Sequence, residues 1–304
     1  MNTKPFFCIG GLGGSGTRLV ANLLHEHNIP IGCSLNGALD NLLFSLMFRR
    51  PSWCKDFPSN SVILEAIDIY LRIMCSNSGD FDLPSDKNYI HSLIKSNDTS
   101  IFSESEWHAH VDNHLRKNES KNQCFSNWGW KEPNTHVFVP QLNLYNSKMK
   151  YVHVVRDGLY MMNSNNKYQL NMWAGKFNVK RSDDTNDALD ALRYWIAANQ
   201  QAINYGVREL DKRFYLLNYD LFCKQPEKEA ENLLCFLEVP VNGDIIQNIS
   251  NKVKYKTVAK QTRDTILNNL PQQIANDYSK YMNLSEKTLA KQAINNNASI
   301  SVPN

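Results

Sequence analysis

The stretch Gly10-Gly11-Leu12-Gly13-Gly14-Ser15-Gly16-Thr17-Arg18 constrains this chain more than any other. It follows Phe6-Phe7-Cys8-Ile9, a short apolar run suited to a buried strand. It precedes Leu19, Val20, Leu23 and Leu24, whose spacing predicts a helix with one face on a core, stopped by Asn28 and Pro30. Strand, glycine-rich turn and helix in that order let backbone N–H groups turn inward, and the helix dipole adds about half a positive charge. The expected product is a cradle for a phosphate-like anion.

Further along, Tyr151 to Val155 is β-branched and uncharged up to Arg156-Asp157-Gly158, the pattern of a central parallel strand ending at a turn. Phe214 to Leu217 reads as another strand. Helices are predicted over Ser61 to Met74, Asp187 to Leu210 and Lys228 to Leu237. Alternation of this kind specifies an α/β layer fold: a three-layer, P-loop-like arrangement with a central parallel sheet and helical insertions. We expect a single domain over residues 1–304, with a Ser/Asn/Asp-rich insertion at 76–124 carrying Trp107, Val111 and Leu115 at helical spacing, and a polar tail at 295–304 that frays.

Composition narrows the function. Lys plus Arg total 33 against 30 Asp plus Glu, a net charge of +3, too small for a general nucleic-acid binder, so functional positive charge must be local. The seven cysteines show no C-x-x-C spacing and read as reduced, mostly buried thiols. With no apolar stretch long enough for a signal sequence or a membrane span, a cytoplasmic location is expected.

Three ligands suit the glycine loop. Gly11, Gly13 and Gly16 match G-x-G-x-x-G, the dinucleotide fingerprint of an NAD-binding oxidoreductase, but the second strand and acidic residue that fingerprint needs are poor: Ile29-Pro30-Ile31 is short, and Asp40 lies in a Leu/Asn-rich segment that looks helical. Gly11 and Gly16 also have the Walker A separation, yet Thr17-Arg18 stands where Lys-Ser/Thr should follow, which removes parts an NTPase needs. The third ligand is a nucleotide whose 5′ group is a phosphosulfate.

Ser15-Gly16-Thr17 after a strand resembles the S-G-T loop of the sulfotransferases that use 3′-phosphoadenosine 5′-phosphosulfate (PAPS). Three further segments resemble that family's motifs in the family's order. They are Trp130-Lys131-Glu132-Pro133; Val154-Val155-Arg156-Asp157-Gly158 with Ser164 eight residues after Arg156; and Leu217-Asn218-Tyr219-Asp220-Leu221 followed by Pro226 and Leu233 to Leu237. The resemblance spans roughly residues 6 to 240.

It implies transfer of a sulfuryl group from PAPS to a hydroxyl or amine of a small molecule or glycan, leaving adenosine 3′,5′-bisphosphate, with no metal required. Gly13, Gly14, Ser15, Gly16, Thr17 and Arg18 would hold the 5′ end, Arg156 and Ser164 the 3′-phosphate, and Tyr219 would add a hydrogen bond. Arg supplies a planar fork for phosphate oxygens and Ser a hydroxyl donor, although an Arg156 simply paired with Asp157 at the surface remains open. Most relatives carry Lys or Arg immediately before S-G-T, where this chain has Gly14. Lys131 is the candidate to supply that charge, with Arg18 in reserve. Asp40 is the candidate base, because a hydroxyl nucleophile benefits from a nearby carboxylate, whereas Glu132 fits a salt bridge. A non-catalytic nucleotide-binding relative is the further alternative.

Two clusters carry less. His108, His110, Asp112 and His114 contain an i, i+4 His pair without a metalloprotease motif, and the neighbouring apolar stripe explains the helix without a metal. Lys252, Lys254, Lys256, Lys260 and Arg263 form a basic run where the family often closes a loop over the nucleotide, but a solvated face is the commoner meaning.

Overall fold

Apolar residues on successive strand positions of this chain go to opposite faces of one sheet. A computed structural model describes residues 5–75, 84–96, 98, 102–119, 127–181, 187–253 and 258–300. Its strands are β1 (Phe7–Gly11), β2 (Gly129–Lys131), β3 (Lys150–Val155) and β4 (Phe214–Asn218), all parallel, in the order β2-β1-β3-β4. Cys8, Tyr151, Val155, Phe214 and Leu216 enter one apolar cluster, while Phe7, Ile9, Val152, Val154, Tyr215 and Leu217 enter the other. Burial on both faces is what a parallel sheet covered by helices demands, and it explains why these strands read as continuous apolar runs.

The helices are, in chain order, α1 (Thr17–Glu26), α2 (Leu42–Phe48), α3 (Pro51–Lys55), α4 (Asn60–Cys75), α5 (Pro84–Lys95), α6 (Glu104–Glu119), α7 (Val139–Tyr145) and α8 (Gly158–Met161). They continue as α9 (Tyr168–Trp173), α10 (Asp187–Tyr205), α11 (Tyr219–Lys224), α12 (Pro226–Phe236), α13 (Gly243–Lys252), α14 (Lys260–Asn269) and α15 (Gln272–Ile300). One face of the sheet is covered by α1, α11, α12 and α13, through residues such as Leu23, Phe222, Leu233 and Ile246. The opposite, larger layer is led by α2, α4, α10 and α15, through Phe44, Tyr70, Trp195 and Tyr281. The expected three-layer α/β architecture is therefore present.

Local departures from the expected elements have physical causes. The helix expected to run to Leu210 ends at Tyr205 and widens into a π turn over Gly206–Leu210. Gly206 lies against the Phe214 ring, where a Cβ would stand 2.3 Å from Cδ2. α12 begins at Pro226, two residues earlier than expected, because proline suits the first turn of a helix. Within 76–124, α5 and α6 bury Ile90, Leu93, Trp107 and Val111 in the same cluster as α2 and α4, and Arg72 grips Asp86 through two bonds of 2.7 and 2.9 Å. The side chain of Leu115 lies outside the described residues. At the other end, α15 continues to Ile300, into the polar stretch expected to fray.

Asp40 is not in a helix. Asn36 Oδ1 accepts the amides of Ala38 and Asp40, an isolated antiparallel bridge pairs Leu35 with Asn41, and Leu39 adopts φ 60°. The Asn36 side chain competes successfully with helical bonding, and α2 starts only after Asn41, whose Oδ1 caps it by accepting from Phe44 N at 2.9 Å.

Candidate active site at the carboxyl edge of the sheet

Four parallel strands bring their carboxyl ends to one edge, and the loops leaving that edge carry most of the candidate residues. The loop after β1 supplies Gly13 to Thr17, β2 ends on Lys131, Arg156 follows β3, and Tyr219 follows β4. Residues over 200 positions apart in sequence thus share one surface because of strand direction alone.

The loop is built for an anion. Gly14 and Gly16 take φ of 96° and 101°, a left-handed conformation that favours glycine. Gly16 is also crowded: a Cβ there would lie 2.0 Å from Tyr219 Cδ2. Two loop amides are already engaged, Gly13 N with Gln169 Oε1 at 2.7 Å and Ser15 N with Leu12 O at 2.9 Å. The first turn of α1 has no side-chain cap, which leaves amides at its N-terminus to face a ligand. Ser15 Oγ is buried with no hydrogen-bond partner among the described residues. A buried hydroxyl without a partner costs free energy unless something else satisfies it, so loop and helix together fit a phosphate-like group. Thr17 is buried at the first position of α1, and Arg18 is exposed beside it.

Arg156 follows β3 directly, beside Asp157. Its guanidinium lies 3.8 Å from the Tyr160 ring centroid and 4.8 Å from that of Tyr219, and Nη1 donates to Gly14 O at 3.3 Å. Asp157 caps α8 through Leu159 N at 2.9 Å and forms an ion pair with Arg263 of α14, which also donates to Tyr278 Oη at 2.9 Å. Burial pushes the Tyr219 hydroxyl up to about 12, so it stays protonated as a donor. α8 ends at Met161, so Ser164 lies just after the helix, its N–H donating to Met161 O at 2.9 Å. One cavity is lined by Leu12, Gly13 and Ser164 together, and a second cleft by Tyr160, Ser164, Val258, Ala259 and Thr262. Ser164 lines both cavities, and Arg156 is linked to the loop through its bond to Gly14 O.

Lys131 and Asp40, 91 residues apart, form an ion pair, and Lys131 Nζ also donates to Ala38 O at 2.6 Å. At 1% exposure Lys131 is no solvated surface lysine. Burial pushes its pKa down, Asp40 pushes back, and the nearby positive charge of Arg18 adds to the lowering. Asn36 Nδ2 donates to the other Asp40 oxygen at 2.9 Å. Glu132 is turned inward: it accepts from Asn134 N at 2.6 Å and Asn134 Nδ2 at 2.9 Å and faces Arg49 at 3.7 Å, with its pKa raised by burial.

Sequence reasoning missed Gln169, Asn134 and Tyr160. Asn134 stands two residues after Glu132 and Tyr160 four after Arg156, next to residues already singled out. Nothing in the sequence around Gln169 marks it. Among the described residues no group of three His, Cys, Asp or Glu could hold a metal. His108 meets His91, Nδ1 to Nδ1, at 3.2 Å, His110 meets Ser34 at 3.4 Å, and the side chain of His114 lies outside the described residues, as do Lys254 and Lys256. Lys252 pairs with Glu26 on the far face, so the basic run is split between elements. Among the described cysteines Cys8 is buried, Cys33, Cys54 and Cys223 are half-buried and Cys235 is exposed, all as free thiols, which is less burial than their composition suggested. No described helix is long and apolar enough to cross a membrane.

Comparison with solved structures finds the sulfotransferase domain of the Synechococcus olefin synthase, 16% identical over 94% of both chains with a TM-score of 0.46. It also finds the sulfotransferase domain of the curacin biosynthetic pathway, 17% identical over 91% of this chain and 98% of that one with a TM-score of 0.46. A sulfotransferase from Alicyclobacillus acidocaldarius is 13% identical over 93% and 96%, with a TM-score of 0.43. No curated protein matches the chain. A family model described as the sulfotransferase family matches residues 5–243, which takes in every strand, the anion loop, Lys131, Arg156 and Tyr219, and the chain accordingly belongs to the sulfotransferase family.

Proposed function

We propose that this protein transfers a sulfuryl group from PAPS to a hydroxyl or amine of a small molecule or glycan. The observation that carries this reading is that both candidate anion grips touch the loop: Nη1 of Arg156 reaches the Gly14 carbonyl at 3.3 Å, and Ser164 lines one cavity with Gly13. Two anion grips on one surface suit a donor with a charged group at each end.

The donor, when bound, supplies a sulfuryl group carried on a phosphate. The amides of Gly14, Gly16, Thr17 and Arg18 and the hydroxyls of Ser15 and Thr17 hold its 5′ end; Gly13 contributes its lack of a side chain, since a Cβ would meet Asn166 at 3.0 Å. Arg156 and Ser164 hold the 3′-phosphate, and Tyr219 packs between the two grips.

Lys131 holds positive charge at the end of β2, and Arg18 adds to it, so a developing negative charge there is stabilised by groups already in place. Gly14, which replaces the basic residue most relatives carry, leaves this role to Lys131. Asp40 takes the proton of the acceptor on the oxygen that Asn36 orients, while its other oxygen keeps Lys131 in position.

The test is incubation with sulfur-labelled PAPS and a panel of phenols, alcohols, amines and sugars. Label appearing on any acceptor, with release of adenosine 3′,5′-bisphosphate, supports the reading. A protein that binds the bisphosphate and labels nothing is a non-catalytic relative.

A further inference from the structure

We propose that Arg49 is a positioning residue that acts through the buried Glu132 carboxylate to hold the anion loop in shape. This rests on the reading of that loop as the grip on the donor's 5′ end.

Glu132 is fully buried, and the groups set against it are donors. Asn134 N and Nδ2 donate to it at 2.6 and 2.9 Å, Ser45 Oγ donates at 3.3 Å, and Arg49 Nη1 lies 3.7 Å from Oε1. A protonated carboxyl would bring one more donor into this ring of donors, so the contacts select the ionised form. A buried charge needs a countercharge, and α2 ends on one: Arg49 follows its last residue. The guanidinium also lies 4.3 Å from the ring centroid of Tyr168, the first residue of α9, which ties the Glu132 side of the site to the helix that carries Gln169.

The charge has a path to the loop. Gly13 N donates to Gln169 Oε1, Gln169 Nε2 to Asn134 Oδ1, and Asn134 Nδ2 to Glu132 Oε1, so every donor points the same way and the series ends on the carboxylate. Hydrogen bonds aligned in this way strengthen one another, and a bond to an ion is stronger than one between neutral groups. A proton on Glu132 weakens the last bond of the series and with it the hold on Gly13. Arg49 thus reaches the loop without touching it.

The charges around Glu132 oppose one another. Burial pushes its pKa up, Arg49 pushes it down, and Asp40 adds to the rise. Lys131, the preceding residue, is paired with Asp40, and His136 on the following turn faces Pro133 O and Tyr194. Within α2 itself no side chain is titratable, and α9 offers only Tyr168. Removing Arg49 therefore raises the pH at which Glu132 takes up a proton.

The test follows hydrogen exchange of the Gly13 amide against pH, by NMR on the ligand-free, glycine-labelled chain, in native, Arg49→Met, Arg49→Lys and Glu132→Gln forms. Protection of Gly13, corrected for the intrinsic exchange rate, should fall about tenfold as pH is lowered. In Arg49→Met that fall should come at a pH higher by about 1 or more, and in Arg49→Lys, which keeps the charge, nearer the native position. Glu132→Gln should show reduced protection at every pH and no such fall. A fall at the native position in Arg49→Met, or none in either chain, overturns the inference. Should Arg49→Met fail to fold, native protection in Glu132→Gln, or a fall that persists there, overturns it instead. Calorimetry with adenosine 3′,5′-bisphosphate keeps the two readings apart: a native chain that does not bind it overturns the donor reading and leaves the exchange result standing.

Discussion

Gln169 Oε1 accepts the Gly13 amide at 2.7 Å, tying the anion loop to a helix 156 residues further along the chain. The bond continues inward: Gln169 Nε2 donates to Asn134 Oδ1 at 3.1 Å, Trp173 Nε1 donates to the same oxygen at 2.9 Å, and Asn134 Nδ2 donates to Glu132 Oε1 at 2.9 Å. Because Gly13 N–H and Trp173 N–H can only donate, the orientation of both amide side chains follows. The loop after β1 is thus fastened to the strand end that carries Lys131.

Gln169→Leu removes this fastening and leaves buried donors and acceptors unmatched, at a cost of about 1–3 kcal/mol. Urea unfolding should show that loss, and calorimetry should show bisphosphate affinity falling roughly tenfold, by about 1.4 kcal/mol. Full affinity in a destabilised Gln169→Leu would mean that the loop holds its shape without this contact.

Gly16→Ala should be worse than its size suggests, because the new methyl meets the Tyr219 ring and the backbone is left-handed. Strain of about 1–3 kcal/mol is expected, with loss of bisphosphate binding. Gly37→Ala, where nothing lies within 4 Å, is the control and should leave melting and binding unchanged.

Lys131→Ala should lower turnover by about 100- to 1,000-fold, the scale seen when one electrostatic contact to a transition state is removed, with bisphosphate affinity within about threefold. Asp40→Asn should also lower turnover and leave nucleotide binding intact. Unchanged turnover in either variant removes that residue from the chemistry.

Much of the fold and part of the site were legible in the sequence because they depend on local pattern. The apolar runs at Phe6–Ile9 and Tyr151–Val155 have to be strands buried on both faces, and Arg156 has to emerge at a strand end. What stayed hidden depends on side-chain competition and on distant contacts. Asn36 capturing two amides turned an expected helix around Asp40 into a bend, and the polar run from Asn163 to Asn166 ended α8 before Ser164. Gln169 matters only because the fold sets it beside Gly13, which no local signal encodes.

Two buried histidines set a pH dependence. Burial pushes His136 down to about 4 and His153 down to about 3, against about 6.5 in an unfolded chain. Both values are depressed, so between about pH 6.5 and 4 the unfolded state binds more protons, and stability falls as pH falls through that window. Glu132, raised by burial, works with the opposite sign. His136→Gln should therefore flatten the slope of unfolding free energy against pH between 7 and 5, by about 2 kcal/mol over that range, whatever its stability at pH 7. A parallel slope in the variant would contradict this.

The most direct measurement is calorimetric titration of the purified chain with adenosine 3′,5′-bisphosphate and, separately, with NAD, repeated on Arg156→Ala. Binding of the bisphosphate alone, weakened at least tenfold in Arg156→Ala, is the predicted result. Binding of NAD in its place, or a bisphosphate affinity indifferent to Arg156, would contradict the assignment of one donor to both anion grips.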